Sequence, residues 1–140
     1  MRIEILGKPY GKGRPRFTKN GHTYTPTETT NYENLVKYSY IQQCYGESID
    51  GAIMAQITAV YPIPKSASKK KRAEMVRGVI KPTVKPDCDN VAKTVLDALN
   101  GMAYTDDSQV VALIVRKVYG ENPRVIVELN KADYLEVDAV

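Results

Sequence analysis

Residues 85–101 read Lys85-Pro86-Asp87-Cys88-Asp89-Asn90-Val91-Ala92-Lys93-Thr94-Val95-Leu96-Asp97-Ala98-Leu99-Asn100-Gly101. From Asp89 onward the apolar residues Val91, Val95, Ala98, Leu99 and then Met102 recur at the spacing that lines one face of a helix. Asn100-Gly101 suits a left-handed C-terminal stop. Runs rich in β-branched residues flank this helix at 52–61 and 108–119, both of strand length. A helix between two strands implies an α/β (α+β) chain in which helices cover a sheet.

Working outward, residues 2–7 alternate as an edge or near-edge strand, and Gly7-Lys8-Pro9 followed by Gly11-Lys12-Gly13-Arg14-Pro15-Arg16 breaks regular structure into a basic loop. Thr25-Pro26-Thr27-Glu28 offers an N-cap, a proline at the first helical position and an early acid. A helix is therefore expected from there to about Tyr45, its core face formed by Tyr32, Leu35, Val36, Ser39, Tyr40 and Cys44. Ser66 to Arg77 suits a short basic helix. Residues 124–130 form a further strand after Gly120-Glu121-Asn122-Pro123, which reads as a hairpin turn. The expectation is a single compact domain over 1–130, a mixed sheet of about four strands packed with two or three helices, and a C-terminal tail over 131–140.

At 140 residues and 43% apolar content the chain can bury one core. Its longest apolar run, Val110 to Val115, falls far short of the roughly 18 residues of a membrane span. The N-terminal stretch has no secretory pattern, and Cys44 and Cys88 read as reduced thiols, so a cytoplasmic protein without a membrane partner is expected. The net charge of +4 suits a polyanion. The cations are clustered, with Lys12, Arg14 and Arg16 in the N-terminal loop and Lys69, Lys70, Lys71 and Arg72 in the middle. The acids gather at 87–107 and in the tail.

Asp87 and Asp89, if extended, present two carboxylates to one side, and such a pair attracts a hard cation such as magnesium. Tyr104-Thr105-Asp106-Asp107-Ser108-Gln109 offers a third acid directly after the helix, where the connection makes proximity cheap. Asp89, Lys93 and Asp97 share a polar helical face, and Lys93 there could hold a phosphate. Each element also has an ordinary use. Asp87 or Asp89 suits an N-cap, Lys93 with Asp97 a surface ion pair, and Asp106-Asp107 a turn. Tyr24 and Tyr104 are the two tyrosines placed for base stacking.

Together these motifs resemble the RusA family of Holliday junction resolvases over nearly the whole chain. The resemblance rests on Gly7-Lys8-Pro9 through Gly13-Arg14-Pro15-Arg16-Phe17, on His22-Thr23-Tyr24-Thr25-Pro26 as in many phage and prophage members, on Lys85-Pro86-Asp87-Cys88-Asp89-Asn90 with Lys93 and Asp97-Ala98-Leu99-Asn100-Gly101, and on Asp106-Asp107-Ser108-Gln109-Val110. It implies that Asp87, Asp89 and Asp107 bind metal, with Asp106 the runner-up to Asp107, and that Lys93 is an essential lysine. It further implies magnesium-assisted hydrolysis, with manganese able to substitute, leaving 5′ phosphates and 3′ hydroxyls. A homodimer would place two sites on a four-way DNA junction for recombination and repair. Lys12, Arg14, Arg16 and Lys69 to Arg72 would grip its phosphates. Two alternatives stay open: a metal nuclease for other branched or flap DNA, and a non-catalytic junction or single-strand binding protein.

Overall fold

Alternation in the longest strands decides the layering. In β4 (Ile53–Pro62) the side chains of Ile53, Ala55, Ile57 and Ala59 are buried while Met54, Gln56 and Thr58 stay half-exposed, so only one face is covered. The computed structural model describes residues 1–13 and 16–133. Its remaining elements are β1 (Arg2–Leu6), the short pair β2 (Arg16–Phe17) and β3 (Thr23–Tyr24), α1 (Thr27–Cys44), α2 (Lys69–Val76), α3 (Cys88–Leu99), β5 (Val110–Gly120) and β6 (Arg124–Lys131). A single 3-10 turn, Asp107–Gln109, leads into β5.

The main sheet is mixed, in the order β1-β6-β4-β5, with β4 parallel to β5 and antiparallel to β6. One core lies between this sheet and helices α1 and α3. Ile3, Ile5, Val125, Val127 and Leu129 from the strands meet Val36 and Tyr40 of α1 and Val91, Val95, Ala98 and Leu99 of α3. The expected α+β domain of three helices and four strands is what the chain forms, and β1 is indeed an edge strand.

Three expectations change: the hairpin, the N-cap of α1 and the burial of Leu35. The strands at 108–119 and 124–130 do not form a hairpin, because β5 and β6 lie on opposite sides of β4. Gly120 stands level with Pro62 and Arg124 with Val60, so residues 121–123 carry the chain across the end of β4. A side chain at Gly120 would meet Val60 Cγ1 at 2.6 Å, which is why the crossing begins at a glycine. Pro26, not Thr25, is the N-cap of α1, and it makes no side-chain cap bond. Thr29 in the first turn is fully buried instead, accepting from Gly13 N at 3.0 Å and bonding Tyr10 Oη at 2.9 Å. Leu35 is exposed on α1. The expected left-handed stop after α3 is present at Gly101 (φ +77°), with Asn100 extended. At the C-terminal side, β6 ends at Lys131 and Ala132 N bonds Ala52 O.

Candidate active site

The helix α3 starts one residue earlier than its periodicity suggests, and this changes the geometry of the acid pair. Asp87 is the N-cap and Asp89 lies in the first turn, rather than both sitting in an extended segment. An aspartate at an N-cap ordinarily accepts a hydrogen bond from the helix start. Asp87 makes no such bond, so its carboxylate is free. Asp89 and Lys93 are exposed and enter no ion pair among the described residues. Two unsatisfied carboxylates two residues apart, at the positive end of a helix dipole, fit a hard divalent cation that shares its remaining positions with waters and phosphate.

Asp107 is elsewhere. Its backbone N–H donates to Asn100 Oδ1 at 3.0 Å, which fixes it beyond the C-terminal end of α3. The twelve residues of α3 separate its ends by about 18 Å at 1.5 Å per residue. Within one chain the expected proximity of the third acid to the pair therefore fails. Among the described residues no three His, Cys, Asp or Glu side chains form a group that could hold a metal ion. Helix α3 runs back along the sheet before β5 begins, so the short connection carries residues 100–109 to the opposite rim.

At that rim the two neighbouring acids differ. Asp106 caps the 3-10 turn, accepting from Ser108 N at 3.1 Å, and these bonds hold its carboxyl below the ordinary value of 3.8. Gln109 completes the box: its Oε1 accepts from Thr105 N and Asp106 N, while its Nε2 donates to Ile49 O and Gly51 O. Asp106 and Gln109 are thus committed to shaping the turn, which leaves the exposed Asp107 carboxylate as the available one. Tyr104, expected as a stacking candidate, is buried with its hydroxyl donated to Leu96 O at 2.6 Å. Tyr24 is exposed on β3, paired with Arg16 of β2, and Phe17 of β2, paired with Thr23, is exposed as well.

The N-terminal loop packs against the acid pair. Lys12 Nζ reaches Asp97 Oδ2 at 2.9 Å and Glu33 Oε1 at 3.5 Å, and the Asp97 bond holds the ammonium above its ordinary range. Asn90 Nδ2 donates to Lys12 O at 3.5 Å, and the Tyr10 and Tyr32 rings lie 5.2 Å apart. Lys12 is therefore a strut between α1 and α3 rather than a free cation, and Asp97 is its anchor. Arg14 lies outside the described residues, and Arg16 is placed only as backbone in β2. Lys69, Lys70 and Lys71 are exposed in the first turn of α2, whose N-cap Ser68 accepts from Lys71 N at 3.2 Å.

The loop also brings two lysines that the spacing of motifs did not single out. Lys8 and Lys85, both exposed, wall a cavity of about 580 Å³ with Pro9, Tyr10, Gly11, Pro86, Asp87 and Asn90. Only the fold reveals this, since residues 8 and 85 meet through packing of the loop on Pro86. A side chain at Gly11 would lie 2.7 Å from both Asn90 Nδ2 and Pro86 Cβ, so glycine permits the approach. Behind Pro86, Tyr61 donates its hydroxyl to Pro86 O at 2.5 Å, and burial pushes that phenol up to about 12.

An α+β domain with a free acid pair at a helix start and a lysine-walled cavity beside it is a protein equipped to handle a phosphate-bearing polymer. The sequence profile of the family described as endodeoxyribonuclease RusA matches residues 7–130, and the chain belongs to that family, one of Holliday junction-resolving endonucleases. It is also 38% identical over 136 residues to a Bacillus subtilis (strain 168) protein described as uncharacterized protein YqaN, with 94% of this chain and 96% of that one covered. No helix among the described residues is long and apolar enough to cross a membrane.

Proposed function

We propose that this protein is a magnesium-dependent endonuclease that resolves four-way DNA junctions by paired, symmetric nicks, in the cytoplasm and in the service of recombination and repair. The observation that carries the reading is the acid pair: Asp87 occupies an N-cap without capping, and Asp89 stands exposed one turn from Lys93. Asp106 and Asp97 are engaged, the one by its cap and the other by Lys12, whereas Asp87 and Asp89 are left unpartnered and available to a cation. Asp87 and Asp89 would hold magnesium, with manganese as a substitute. When bound, the ion supplies Lewis-acid polarisation of the scissile phosphate and stabilises the leaving 3′ oxygen. Lys93, on the same exposed face as Asp89, neutralises charge that develops on the phosphoryl oxygens.

Asp107 joins the site through a homodimer. A two-fold axis across α3 sets the start of one helix beside the end of the other, so that the partner subunit's Asp107 completes each acid pair. The exposed lysines of α2, with Arg14 and Arg16, take the phosphates of the junction arms. Lys69, Lys70 and Lys71 sit at the positive end of α2 with no acid in its first turn, an arrangement that favours an external anion.

The test is cleavage of a labelled mobile four-way junction with and without magnesium, beside three-way, flap and linear substrates and beside Asp89→Asn. Symmetric magnesium-dependent nicks in the four-way junction, lost in the variant, are expected. Equal cutting of linear duplex overturns the junction specificity, and tight binding without cleavage under several divalent ions overturns the enzyme.

A further inference from the structure

The cavity beside Asp87 does not end at the two lysines. Lys8 and Lys85 also wall a second cavity of about 330 Å³, whose other sides are Tyr61, Pro62, Ile63, Pro64, Val84 and Tyr119. The two compartments share these lysines as their common border. On one side lies the mouth with Asp87 and Asn90; on the other lies a lining of tyrosine, proline and aliphatic side chains. Neither lysine has an ion-pair partner among the described residues. An anion at that border meets two cations.

We propose that this groove holds a single nucleotide of unstacked DNA strand next to the scissile phosphate: Lys8 and Lys85 take the flanking backbone phosphate, and the apolar compartment takes the attached nucleoside. The inference rests on the nuclease reading for its substrate and adds where the strand runs. The volume matches the ligand, since about 300 Å³ is the lower end of pockets that take small molecules and is too small for a base pair. The chemistry matches as well. A base is a flat apolar surface that packs on the accessible Tyr119, Pro62 and Pro64 irrespective of sequence, and its phosphate sits one linkage away, where cations are needed. Tyr61 is fixed by its bond to Pro86 O, and Lys117 donates to Val84 O while lying 5.0 Å above the Tyr61 ring. A strand entering here must be splayed from its partner, which a junction crossover permits and a continuous duplex does not.

The experiment is an NMR titration of the ¹⁵N-labelled full chain, without divalent ions, by a 5′-phosphorylated thymidine tetranucleotide. Lys8→Gln combined with Lys85→Gln serves as the variant, since both side chains are exposed and its folding can be verified in the same spectra. Shifts are expected at the amides of Lys8, Tyr10, Gly11, Ile63, Val84, Lys85, Asp87 and Tyr119, with affinity lowered about tenfold in the variant as two phosphate contacts are lost. Shifts confined to the lysines of α2, or unchanged affinity in the variant, overturn the groove. Shifts at Val84, Lys85 and Asp87 without Ile63 and Tyr119 reduce it to a phosphate contact and overturn the nucleoside assignment. The same preparation is then given a four-way junction and magnesium. Tetranucleotide bound in the groove without any cleavage removes the nuclease reading and leaves the groove, whereas cleavage with a silent groove does the reverse.

Discussion

Asp106 and Asp107 are chemically identical neighbours, and their surroundings give them different work. Asp106 is consumed by the capping box, so Asp106→Asn should keep cleavage within a few-fold of the parent while lowering the melting temperature. Because its folded pKa lies below 3.8, its contribution to stability is complete above that value and is lost as pH falls through the lower folded value. A melting series through the acid range reads this, and parent and variant should converge at its acidic end. Asp107→Asn should instead leave stability unchanged and reduce cleavage about a thousandfold, or roughly 4 kcal/mol of transition-state stabilisation. Full activity in that variant removes Asp107 from the site. This distinction was not available from sequence alone. Asp-Asp-Ser-Gln contains the cap signature, but which acid faces the turn depends on where β5 begins. Lys93→Ala should cost about a hundredfold in rate with junction binding retained, the pattern of a group acting on developing charge. Equal losses in binding and rate would make it a simple phosphate contact.

The elements show what was legible in the chain and what was hidden. The 3.6-residue period of α3 and the β-branched runs of β4, β5 and β6 announce themselves because each buries one face against a single core. Strand order does not, because the turn chemistry at 120–123 is the same whether the next strand returns alongside or crosses over β4. The N-terminal loop read correctly as irregular and basic, yet the role of Lys12 inverted. Its partners Glu33 and Asp97 lie 21 and 85 residues away, a pairing no local pattern contains. Lys12→Met should loosen the loop by leaving two carboxylates facing each other. The cost should be only about 1 kcal/mol, since the side chains remain about a quarter exposed. Gly11→Ala should lift the same loop from Pro86 and Asn90, raising KM for junction DNA more than it changes kcat. An unaltered KM would mean that the loop does not border the substrate.

For the whole molecule, the unresolved quantity of the sequence was distance. Three acids in order suggested one cluster, but α3 carries the chain from one rim of the sheet to the other between the second acid and the third. A single copy therefore offers two carboxylates at one end and one at the other, and in the proposed homodimer an antiparallel arrangement of two α3 helices would restore the trio twice. Subunit mixing tests this directly. Asp87→Asn and Asp107→Asn homodimers should each be inactive, because every site in either has lost one acid. In a heterodimer of the two variants, one site loses both acids and the other keeps all three. Mixing and re-equilibrating the inactive proteins should then restore magnesium-dependent nicking to one strand of the junction, at about half the parental rate per heterodimer. The two nicks of normal resolution would not be recovered. If each site were instead built within one chain, every site of the heterodimer would carry a lesion, and the mixture would stay as inactive as its components.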